Sequence, residues 1–114
     1  MTKKSLLSIA PKSEFSGAVI VPTPDRAPDE VEFTFKYRDR EALDAWIKEM
    51  EATTRDATSL EADIAMVMGC ATGWELEDAF NAENVRKLLL DHSGAAANVF
   101  QVYVGLSRLG REKN

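Results

Sequence analysis

The sequence holds one cysteine and one histidine in 114 residues. Cys70 therefore has no partner for an intrachain disulfide, which fits a reducing compartment. With no histidine at motif spacing, it makes no zinc site either. His92 stands in the last turn of an expected helix, where the dipole mildly favours a cation. A structural role is the simplest reading of both residues. Basic residues are not in excess: 14 Lys+Arg face 19 Asp+Glu, for a net charge of −5. That charge disfavours binding to a nucleic-acid backbone, which calls for a basic face, and is the wrong sign for an anionic membrane surface. No apolar run approaches the ~20 residues of a membrane span. The start, Met1 to Pro11, carries Lys3 and Lys4 before Leu6, Leu7 and Ile9. That apolar part is too short, and too broken by Ser8, for a signal-peptide core. A cytosolic protein is the expectation. Gly69, Gly73 and Gly94 form neither a Gly-x-x-x-x-Gly-Lys loop nor a Gly-x-Gly-x-x-Gly turn.

The 45% hydrophobic and 29% charged fractions are those of an ordinary globular chain, and the length suits one domain. Residues 1–14 are expected as a flexible arm, with 15–114 as a single α+β domain. An alternative has Leu6, Leu7 and Ile9 docking on the body or on a partner. Phe15 to Val21 is short and β-branched, and Pro22, Pro24 and Pro28 follow. This reads as a strand entering a proline-stiffened turn. Val31 to Arg38 alternates strictly, with Val31, Phe33, Phe35 and Tyr37 on one face. The two strands are expected to pair as an antiparallel hairpin with a long loop. A lone hairpin is marginal in water, so helices must cover its aromatic face.

About four helices are expected to form that cover. Asp39 caps the first, Arg40 to about Thr53, whose stripe is Leu43, Trp46, Ile47 and Met50. Thr58 and Glu61 form a capping box for the second, which runs to about Ala71 with Leu60, Ile64, Val67, Met68 and Ala71 inward. Gly69 in that helix permits close packing. Asn81 suits the N-cap of the third, Ala82 to Ser93, with Val85, Leu88 and Leu89 inward and Gly94 as a left-handed C′ residue. The fourth runs from Ala95 to about Leu109 through Ala96, Val99, Phe100, Tyr103 and Leu106, and Gly110 ends it. Trp46 and Tyr103 are read as core.

The stretch from Gly73 to Gly94 organises the rest. Trp74 and Phe80 are large apolar groups in a polar loop and are expected to pin it to the core. Glu75, Glu77 and Asp78 make that loop acidic. Their spacing matches no calcium loop. A solvated loop is the plain reading, and a docking surface for a basic partner is the sharper one. No catalytic constellation, cofactor site or metal site is legible.

The residues Gly73-Trp74-Glu75-Leu76-Glu77-Asp78-Ala79-Phe80-Asn81-Ala82-Glu83-Asn84-Val85, then Lys87-Leu88-Leu89, then Ala95-Ala96-Ala97 and Tyr103 resemble the tail assembly chaperones of long-tailed bacteriophages and prophages. The strand Val31 to Arg38, followed by Asp39 and an acidic helix, extends the resemblance over roughly residues 15–114. The sequence departs from it at Ser93, where a proline is frequent. The resemblance implies a non-enzymatic helper in the bacterial host cytoplasm that binds the tape-measure protein. Such a helper keeps the tape measure's apolar helices soluble while major tail (tube) protein subunits polymerise around it, and is absent from the finished virion. It also implies a short form and a longer, frameshifted form. Glu112-Lys113-Asn114 permits the codons GAA AAA AAC, which contain the slippery heptamer A AAA AAC. Partner contact is expected at Trp74, Glu75, Glu77, Asp78 and Phe80, and self-association through the edges of a small sheet. The alternatives are a small virion part (tail completion or head–tail joining), an enzyme built on the acidic loop, and an antitoxin-like regulatory domain.

Overall fold

The computed structural model describes residues 13–109. Most of the arm, Gly110 and the codon positions Glu112, Lys113 and Asn114 lie outside the described residues. Within them the order is β1 (Glu14–Thr23), β2 (Arg26–Lys36), α1 (Arg40–Thr53), α2 (Ser59–Cys70), β3 (Ala71–Trp74), α3 (Ala82–Asp91) and α4 (Ala95–Leu109). The architecture is α+β, an N-terminal antiparallel hairpin packed on four helices.

Alternation along β1 and β2 decides which face is covered. The register pairs Val19 with Val31, Gly17 with Phe33 and Phe15 with Phe35. Val19, Val21, Val31, Phe33 and Phe35 are all buried on the helix-covered face. Glu30, Glu32 and Lys36 stay in water, as a one-sided antiparallel sheet requires. At Gly17 α4 comes close to the sheet: a Cβ there would lie 2.5 Å from Leu106 Cδ1 and 3.0 Å from Val102 Cγ1.

The long loop expected between the strands is instead a tight turn at Pro24 and Asp25, with Thr23 opposite Arg26. Pro24 presets the backbone angle of such a turn, and Thr23 Oγ1 donates to the carbonyls of Arg26 (2.7 Å) and Ala27 (2.9 Å). Pro22 is accommodated where the register shifts between Val21 and Thr23, the kind of position where a missing N–H is tolerated. At the other end β2 stops at Lys36 rather than Arg38. Tyr37 leaves the inner face and is 40% exposed. Arg38 swings across Trp46, its guanidinium carbon 4.7 Å from the ring centroid.

A third strand was not legible. α2 ends at Cys70, and Ala71 turns to an extended backbone (φ −111°, ψ 152°). Residues 71–74 then pair antiparallel with β2, Phe33 opposite Trp74, to give the order β1-β2-β3. Four residues, Ala-Thr-Gly-Trp, are too short to show a period of two, and pairing with β2 supplies what local propensity does not.

The caps follow the sequence. Asp39 accepts from Ala42 N at 2.8 Å, Thr58 and Glu61 bond reciprocally, and Asn81 accepts from Asn84 N at 2.8 Å. α3 stops at Asp91, with His92 as C-cap. Gly94 is not in the left-handed region. Its smallness serves Pro22 instead, whose Cγ would lie 3.2 Å from a Cβ there. Gly69 does allow close packing: a Cβ would meet Trp46 Nε1 at 2.9 Å.

Candidate partner-binding surfaces

Trp74 ends β3 and leads into the acidic loop. Its ring lies edge-on to Phe33 (centroids 5.9 Å apart) and to Phe80 (5.1 Å). Trp74 Nε1 donates to Asp78 O at 2.7 Å, Glu75 N to Glu32 O at 3.0 Å, and Asn84 Nδ2 to Ala79 O at 2.8 Å. The loop is thus fastened at its start, middle and end. The sequence placed Trp74 and Phe80 together as anchors, and they meet. Both remain half-buried. The side chains of Glu75, Glu77 and Asp78 are exposed; Asp78 contributes its backbone carbonyl to the loop. A shallow cleft opens beside them, lined by Trp74, Leu76, Asp78, Asn84, Lys87 and Leu88. Apolar side chains, Trp74, Leu76 and Leu88, and charges of both signs, Asp78 and Lys87, line it together.

His92 borders the same cleft, with Nδ1 2.8 Å from Pro22 O, so the hydrogen on Nδ1 is spent on β1. Cys70 is fully buried, and burial pushes its thiol up to about 12, far from the thiolate a nucleophile needs. Among the described residues no group of His, Cys, Asp and Glu is arranged to hold a metal ion, and no helix is long and apolar enough to cross a membrane.

The sequence leads one to expect an apolar patch left over when the four helices pack, and does not say where it lies. α2 was given one inward stripe, yet only Val67 and Cys70 are buried on it. Leu60, Ile64, Met66 and Met68 are half-buried. Apolar residues run round this helix, whereas a helix apolar on all sides is normally enclosed. The signal was present in Ile64-Ala65-Met66-Val67-Met68, a run with no polar face. Between α2 and α4 lies a cleft formed by Asp63, Met66, Ser93, Ala96, Ala97 and Phe100.

The outer edge of β1 is partly closed. Asn98 Nδ2 donates to Ile20 O at 2.8 Å, and His92 takes Pro22 O. The carbonyls that a second strand would seek at these two positions are already bonded.

A family model described as phage tail assembly chaperone matches residues 1–114, the whole chain. No curated protein and no solved structure matches it.

Proposed function

Because the chain belongs to the phage tail assembly chaperone family, we propose that it binds the tape-measure protein and holds it soluble while major tail protein subunits assemble. The family points to a non-enzymatic role among phage tail proteins. The observation that carries the finer reading is α2, whose stretch over residues 64–68 is apolar on every side and left half-open. A protein that shields long apolar helices needs such a surface. The pinned Trp74 loop, with Glu75, Glu77, Asp78 and Phe80, is proposed as a second contact, its exposed carboxylates steering a basic partner.

Co-expression tests this directly. The tape-measure protein of the same phage is expected in the soluble fraction, and on a tagged copy of this chain, only when the two are made together. Equal solubility without the chain would sink the reading. We place the protein in the host cytoplasm and outside the mature virion. Mass spectrometry of purified virions is expected to find none of it, and stoichiometric recovery would favour the virion-part alternative. A longer frameshifted product is proposed at Glu112-Lys113-Asn114. It requires GAA AAA AAC at those codons and an open minus-one frame beyond them; any codon choice that breaks the heptamer removes the proposal.

A further inference from the structure

Asp63 is the one acidic residue placed inside the α2–α4 cleft, and it is half-buried there. Its neighbours in the cleft are Met66, one turn on along α2, Ala96, Ala97 and Phe100 from α4, and Ser93 from the connection before α4. Among the described residues no hydrogen bond or ion pair reaches its carboxylate. Burial alone acts on it, pushing its pKa up. A carboxylate held against methionine, alanine and phenylalanine without a cation costs folding stability at neutral pH. Because the folded-state pKa is raised, the protonated form suits the fold better; that benefit is complete below the ordinary carboxylate value and is lost as pH rises through the raised one.

The shape of the cleft narrows the occupant. Its walls are two helices, Ala96 and Ala97 are small enough for a backbone to come close, and Met66 and Phe100 supply an adaptable apolar floor. Such a trough takes the apolar stripe of a helix. The unanswered charge in its lining calls for a cation, and the chain's net charge of −5 draws basic segments in the same direction.

We infer that the α2–α4 cleft receives one helix of the partner, seated by apolar side chains on Met66, Ala97 and Phe100 and registered by a Lys or Arg of that helix against Asp63. This inference rests on the tape-measure reading above and adds the place and the chemistry of contact. The charge fixes where along a repetitive apolar helix the chaperone sits, which apolar contact alone does not do.

The test uses the full chain, tagged and co-expressed with the tape-measure protein of the same phage. Variants are Asp63→Asn, Asp63→Glu, Ala97→Glu at an exposed position of the cleft wall, and Glu49→Gln on α1 as control. Thermal melts of each variant alone check the fold. Asp63→Asn is expected to melt at or above the parent temperature, since it removes an unpaired charge. It is also expected to recover about tenfold less tape-measure protein or worse, the scale for removing one partner of a desolvated pair. Asp63→Glu retains most of the binding, Ala97→Glu loses it, and Glu49→Gln matches the parent. If the parent chain captures no tape-measure protein, the functional reading itself fails. If the parent binds and Asp63→Asn and Ala97→Glu bind equally well, that reading stands and the cleft assignment is overturned. If these two variants instead change only the self-association of the chain alone, seen by sedimentation, the occupant is a second copy and the assignment is likewise overturned.

Discussion

Trp46 is enclosed by groups from α2, α4 and the segment that follows β2. Arg38 lies 4.7 Å over its ring, Tyr103 meets it edge-on at 5.4 Å between centroids, Phe100 stacks at 6.4 Å, and Gly69 leaves room for its Nε1. Tyr103 is fixed in turn: it accepts from Arg38 Nη1 at 2.9 Å and donates to Lys36 O at 3.0 Å. With the ring unable to retreat, a methyl at position 69 has nowhere to go. Gly69→Ala would gain ~1 kcal/mol of helix propensity, but overpacking a fixed aromatic costs ~1–3 kcal/mol. The expected outcome is a net loss of about 1 kcal/mol and a melting temperature lower by ~4–8 °C. A higher melting temperature in calorimetry would show that Trp46 yields.

At the scale of elements, α1, α2 and α3 are each started by a side chain that the sequence announced, and the sheet is closed by side chains that it did not. Thr58→Ala and Asn81→Ala each remove an N-cap acceptor and are expected to cost ~1 kcal/mol, read from urea midpoints. Asn98 and His92 act across elements, each bonding an edge carbonyl of β1. The double variant Asn98→Ala, His92→Ala loses ~1 kcal/mol for each bond and bares Ile20 O and Pro22 O. Light scattering is expected to show concentration-dependent association of that variant and less in the parent, because an open strand edge recruits another strand. Unchanged scattering would mean the edge is guarded by other means.

For the whole molecule, the buried ionisable groups near the centre all favour their neutral forms, with consequences at high pH. Burial raises the Cys70 thiol from 9.0 to about 12, and it raises Tyr103 against the opposing pull of Arg38. Both folded-state values lie above the ordinary ones, so the stability they contribute is complete below about pH 9 and is lost as pH climbs towards 12. Urea unfolding at stepped pH is expected to show a flat plateau through neutrality and a fall above pH 9. A thiol reagent at pH 8 is expected to label Cys70 only as fast as the chain opens, and at once in urea. Fast labelling of the native chain would contradict a closed core. The molecule measures 54 × 35 × 24 Å, and the hairpin contributes an exposed tip over residues 24–30. The open faces of α2 and the Trp74 loop are the surfaces proposed for partners.

Much of this was written in local chemistry. The alternation of Val31, Phe33 and Phe35 fixed the buried face of the sheet, because a strand's side chains must point to opposite sides. Asp39, Thr58, Glu61 and Asn81 fixed the helix starts, because free first-turn amides need acceptors within a few residues. Trp74 and Phe80 announced an anchored loop, and the family was legible in the residues around them. What the sequence could not decide was everything that depends on a distant neighbour. Ala71–Trp74 is a strand only because β2 lies beside it. Gly94 is small for Pro22 rather than for its own backbone, and Tyr37 leaves the alternation where the strand ends. The open face of α2, with Asp63 unanswered inside it, exists because α3 and α4 cover only part of a helix whose second half has no polar face. Hydrogen-bond caps and side-chain alternation act over a few residues and can be read along the chain; burial is a property of what arrives from elsewhere, and only the assembled fold determines it.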